Sequence, residues 1–188
     1  MKKRETLVIV IIIIFMAAAC KKKSDNPLQS SVNNGFTLKG VFYSTPNGVY
    51  VHEGDTLFDF MFYSNSISWN HVEQQWSGAG NSIEFSELIP VSLQNHFPVG
   101  NYIYNDNPGA GFFTDGGTAR NYSFDADTGY MMDCLHGNVS IVPVGTQFQI
   151  TYTLHNGDSA VAAGSYTGNL QDISSWIGKM GRSMAPGK

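Results

Sequence analysis

Basic residues are nearly missing from the body of this chain of 188 residues. Between Gly40 and Gly178 the only Lys or Arg is Arg120, against thirteen Asp or Glu in the same span. Affinity for nucleic acid rests on clustered Lys and Arg that neutralise phosphate, so this composition excludes a nucleic-acid partner. It also excludes a polybasic contact with anionic lipid outside the N-terminal segment. Cysteine is scarce as well: Cys20 and Cys134 are the only two. No disulfide framework is available, and the core has to hold the fold by itself. No segment has the periodicity of a convincing amphipathic helix.

Catalytic signatures are missing too. "GSYTG" (164–168) has Tyr where a nucleophile elbow needs Ser, and its surroundings read as strand. The "GAG" clusters at 78–80 and 109–111 lack the Gly-Lys-Ser/Thr of a phosphate cradle. The five histidines stand apart at 52, 71, 96, 136 and 155, and only His71 and Glu73 share a face as possible ligands. Two ligands do not close a zinc site. The sequence therefore points to no enzyme, no catalytic residue, no metal and no cofactor.

The longest hydrophobic run is short. Basic residues Lys2, Lys3 and Arg4 precede an apolar stretch from Leu7 to Ala19, which is 19 − 7 + 1 = 13 residues. As a helix it would span roughly 20 Å, against roughly 30 Å of membrane hydrocarbon. A basic start, an aliphatic middle and small residues before a break have the anatomy of a secretory signal peptide over residues 1–19. Ala17, Ala18, Ala19 and Cys20 resemble the lipobox of bacterial lipoproteins, with Ala17 where that family more often has Leu. The resemblance implies cleavage before Cys20, acylation of its thiol, and anchorage to the outer membrane, since Lys21 is not the retaining aspartate. Several acyl chains hold a protein more firmly than one. Loss of residues 1–19 removes Lys2, Lys3, Arg4 and Glu5, a net of +2, and takes the formal charge from −4 to −6. Residues 20–35 are polar, aperiodic and rich in Ser and Asn, and read as a lipidated cysteine followed by a flexible tether.

From there the period becomes two. In "TQFQITYTL" Phe148, Ile150, Tyr152 and Leu154 alternate with Gln147, Gln149, Thr151 and Thr153, so one face buries and the other stays wet. Asn156-Gly157 follows as a hairpin signal. "LFDFMFYS" sets Phe58, Phe60 and Phe62 on one face with Asp59 turned away to solvent. Other segments behave similarly, with turn signals at Asn47-Gly48, Glu53-Gly54-Asp55 and Pro98 to Gly100. The expectation is an all-β fold, an antiparallel β-sandwich or barrel of about eight to ten strands over residues 36–178, with a loose tail at 179–188. Residues 137–170 also resemble the ending of many Bacteroidota-type secreted lipoprotein domains, a likeness that covers under a quarter of the chain and implies little about activity.

Four segments carry candidate chemistry. "DCLHG" (133–137) offers a thiol, an imidazole and a carboxylate. In an extended strand Cys134 and His136 share a face with Cβ atoms roughly 7 Å apart, while Asp133 points away, so a buried inert cysteine is the reading. Asp125 and Asp127 read as loop acids, and "DADTGYMMD" as an ordinary turn, because Gly129 and Tyr130 stand where a calcium loop needs an oxygen ligand and a glycine. "SWNHVEQQWSGAGNS" (68–82) is the most suggestive. Trp69 and Trp76 beside Asn70, His71 and Glu73 suit a neutral sugar, whose ring face stacks while its hydroxyls find amides and carboxylates. The competing reading is that both indoles plug the core. The resulting expectation is a non-enzymatic binding module on the envelope, taking a carbohydrate, a peptide or an envelope protein. The alternatives are a lipocalin-like barrel around an apolar ligand and a surface hydrolase.

Overall fold

The computed structural model describes residues 33–176, with the exception of His71 and Gln74. The expected signal peptide, Cys20, the expected tether up to residue 32 and the expected tail at 179–188 lie outside the described residues, as do residues 177 and 178. Within them every regular element is a strand. Eight strands have seven or more residues: β3 (Asn47–Glu53), β4 (Leu57–Tyr63), β6 (Gln75–Leu88), β8 (Phe97–Tyr104), β10 (Asp115–Ser123), β11 (Thr128–Val144), β12 (Gln147–Asn156) and β13 (Val161–Gly168). Six short ones complete the set: β1 (Gly35–Leu38), β2 (Val41–Ser44), β5 (Ile67–Asn70), β7 (Ser92–Gln94), β9 (Phe112–Phe113) and β14 (Gln171–Asp172).

The hydrogen-bonded order is β14-β3-β4-β6-β10-β11-β12-β13-β1-β2, and all pairings along it are antiparallel except β14 with β3. β11 ties two layers together. Its first part, up to Asp133, pairs with β10, whereas Asn138 to Ile141 pair with β8 and Cys134 to Val144 with β12. The register slips between Cys134 and His136, a bulge that bends the strand from one layer into the other.

Aromatic rings fill the space between the layers. Phe62 of β4 stacks on Tyr166 of β13 at 4.6 Å and on Tyr152 of β12 at 5.8 Å. Phe97 of β8 stacks on Phe148 at 4.0 Å and meets Phe60 edge-on at 5.7 Å. The alternation in β12 holds: Ile150, Tyr152 and Leu154 are buried, and Phe148 packs against the same core.

β4 departs from the expectation. Phe58, Phe60 and Phe62 are buried as the period-two pattern requires, yet Asp59 is buried too, at 5% exposure, and so is Met61. The strand is covered on both faces because a second apolar cluster (Val49, Met61, Ile67, Trp76 and Ile173) lies on its other side. Asp59 is retained there by a bulge opposite it on β6. Glu87 adopts a left-handed φ of 56° and donates its N–H to Asp59 Oδ1 at 2.7 Å. A buried carboxylate that accepts a backbone N–H at a bulge meets part of its hydrogen-bonding need.

Two turn signals also resolve differently. Asn47-Gly48 opens β3, and Pro98 to Gly100 lies inside β8. Gly48 is demanded by packing, since a Cβ there would sit 2.6 Å from Leu170 and 2.8 Å from Tyr166. After Asn156 the chain reverses through Gly157–Ala160, with the positive φ on Ser159 (62°) and not on the Asn-Gly pair.

Candidate functional site

The tryptophan segment forms the β5–β6 hairpin, in which Trp69 and Trp76 face each other across the strands. Their rings meet edge-on at 5.3 Å, and Tyr63 lies 5.1 Å from Trp76. Trp76 is only 6% exposed and belongs to the second cluster; Trp69 is half-buried against it. Both indole nitrogens are buried with no hydrogen-bond partner. Asn70 and Glu73 build the turn: Asn70 Oδ1 accepts the N–H groups of Val72 and Glu73, and Asn70 Nδ2 donates to Glu73 Oε2 at 2.9 Å. His71 lies outside the described residues. The structure thus brings Trp69 and Trp76 together as packing and spends Asn70 and Glu73 on the turn.

In "DCLHG" the bulge separates what a regular strand would align. Cys134 is buried and donates from Sγ to the His136 carbonyl at 3.2 Å, while the His136 ring is exposed and stacks on His155 at 4.2 Å. Burial pushes the Cys134 thiol up to about 11. A thiol so raised is not a nucleophile at neutral pH. Asp125 accepts the Gly78 N–H at 2.9 Å and Asp127 accepts the Tyr122 hydroxyl, so both acids belong to the Phe124–Asp127 turn and its neighbours. Among the described residues no three His, Cys, Asp or Glu side chains gather as metal ligands.

The sequence reading missed two features. On the face of β6 away from the main core, Glu84 is partly buried, and desolvation together with Asp115, Asp59 and Asp133 raises its carboxyl to about 8. Cross-strand register places Glu84 opposite Gly117, and Gly117 opposite Asp133, in one row of the sheet. The second feature is a cleft of about 270 Å³ at the end of the sandwich where β11 turns into β12. Its apolar floor comes from Tyr50, Phe97 and Phe148, and its rim carries the carboxamides of Asn95, Gln147 and Asn169. None of its lining residues is charged.

Local structure positions this cleft. Asn95 and His96 both take left-handed φ values, 51° and 63°, in the tight turn between β7 and β8, and His96 Nδ1 lies 3.0 Å from Asp55. That turn places Asn95 at the rim and Phe97 on the floor. Gly145, with φ of 63°, reverses β11 into β12 and brings Gln147 and Phe148 alongside. Tyr166 donates to the Asn169 carbonyl at 2.9 Å and fixes the end of β13. These contributions come from two turns and a strand end far apart in the chain, which is why no local pattern revealed them. No protein-family model matches the chain, and neither a curated protein nor a solved structure does.

Proposed function

We propose that the chain is a non-enzymatic binding module, held at the outer membrane through a lipid on Cys20, whose β domain takes a neutral carbohydrate in the cleft between the β7–β8 and β11–β12 turns. The observation that carries the reading is the cleft's lining: aromatic rings beneath carboxamides, with no charge. A sugar presents an apolar ring face and hydroxyls that both donate and accept, and aromatic rings beside amides meet both needs. A cleft of about 270 Å³ is at the small end for ligand sites and fits one or two sugar units. A charged ligand finds no counter-ion there. The apolar-ligand alternative draws no support from the interior, where stacked rings occupy the space between the layers.

The lipobox, the basic start and the short apolar run support the anchor, and the polar stretch after Cys20 supports a tether. The test is a glycan array followed by calorimetry on each hit. Gln147→Ala and Asn169→Ala are expected to weaken binding by about tenfold each, the effect of losing a ligand hydrogen bond from a desolvated site. Full binding by both variants, with loss in Trp69→Ala, would return the site to the tryptophan hairpin.

A further inference from the structure

The opposite end of the sandwich is built around Arg120. The cleft borders β12 at Gln147 and Phe148, and this second region borders it at Asn156, so the length of the strand separates them. The Arg120 guanidinium lies over the Tyr130 ring at 4.5 Å, and one of its terminal nitrogens donates to the Tyr43 hydroxyl at 3.3 Å. Its Nε is buried with no hydrogen-bond partner. No salt bridge among the described residues involves it.

The acid beside it is already committed. Asp158 pairs with Lys39 at 2.9 Å and accepts from the Tyr130 hydroxyl at 3.1 Å and from the Ala160 N–H at 3.1 Å. Lys39 holds that carboxyl below its ordinary range, so it stays ionised, with three donors on it. Asn156 Nδ2 donates to the Tyr130 hydroxyl, and Thr118 donates to Asn156 Oδ1, which locks the ring under Arg120. The network holds two cations and one carboxylate, a local excess of positive charge in a chain whose formal net charge is −4.

A guanidinium carries five N–H donors in a planar fork matched to a carboxylate, and leaving the buried Nε–H unmet is costly. Tyr43 accepts from Arg120 and keeps its own proton to donate. We propose that Arg120 and Tyr43 form a second binding site, for a monoanionic carboxylate, with the guanidinium fork on its two oxygens and the Tyr43 hydroxyl as an added donor. A single guanidinium balances one negative charge; a phosphate dianion would set its second charge against Asp158.

The test is an NMR titration of the full chain in detergent, following the arginine Nε–H resonances, with acetate, phosphate and chloride as separate arms at matched ionic strength. The Arg120 signal is identified by its disappearance in Arg120→Lys. Acetate is expected to move it along a saturating curve, more tightly than phosphate does. Tyr43→Phe keeps the ring stacked on Phe36 and is expected to weaken acetate about tenfold. Three results would overturn the site: a linear response that chloride reproduces, tighter binding of phosphate, or an unchanged affinity in Tyr43→Phe.

Discussion

Cys134 and Glu84 are two ordinary side chains whose chemistry is set by what covers them. With its thiol pushed up to about 11, Cys134 holds only about one thiolate in a thousand at pH 8, where a free cysteine holds about a quarter. Ellman's reagent at pH 8 is therefore expected to leave the native thiol unreacted over minutes and to titrate it at once in guanidinium chloride. Glu84 gives a stability signature of known sign. Its folded-state value of about 8 lies above its ordinary 4.5, so the native state binds a proton more tightly than the unfolded chain does. Its contribution is complete below about pH 4.5 and is lost as the pH rises towards 8. Melting temperatures of wild type and Glu84→Gln are expected to diverge over that window, with the glutamine variant the more stable at pH 8. A constant difference between the two curves would contradict the assignment. The sequence already reads Cys134 as buried and inert, whereas the Glu84 shift cannot be read from it, because the register that sets Glu84 in the row of Gly117 and Asp133 joins strands about thirty and fifty residues away.

At the scale of elements, the period-two pattern carried far. It located β12, β13 and β4, and it assigned Phe58, Phe60 and Phe62 to the core. It failed at Asp59 for a physical reason: alternation predicts a wet face only when nothing covers that face, and here Ile67 of β5, Trp76 of β6 and Ile173 do. The bulge that holds Asp59 depends on pairing between β4 and β6, which local patterning does not contain. The β5–β6 hairpin shows the same limit, since large aromatics beside amides read alike as a sugar platform and as packing. Its energetics separate the two residues that define it. Trp76→Ala is expected to cost about 3–5 kcal/mol in urea unfolding, the range for truncating a buried aromatic. Asn70→Ala removes turn hydrogen bonds and is expected to cost about 1 kcal/mol. Gly164 is stricter than either, because a Cβ there would stand 2.1 Å from the Gly35 carbonyl oxygen across the β1–β13 pairing. Gly164→Val is expected to abolish the folded state at 37 °C, seen as loss of the sheet signal in circular dichroism.

For the whole molecule, the charge and the lipobox resemblance are legible in the sequence, and the cleft is not. The lipobox resemblance rests on four adjacent residues, whereas the cleft assembles Tyr50, the β7–β8 turn, the β11–β12 turn and the end of β13. Only the folded ladder brings those segments together. Mass analysis of the native product is expected to find a chain that begins at Cys20 and carries acyl groups; an intact Met1 with a free Cys20 thiol would remove the anchor from the account.

The proposal that the uncharged cleft is the ligand seat is tested most directly by mapping amide chemical shifts as a neutral oligosaccharide from the array is titrated in. Saturable shifts are expected to concentrate at Gln94–Phe97, Val144–Phe148 and Gly168–Leu170. Shifts confined to Trp69–Trp76, or none that saturate with any neutral sugar, would contradict it.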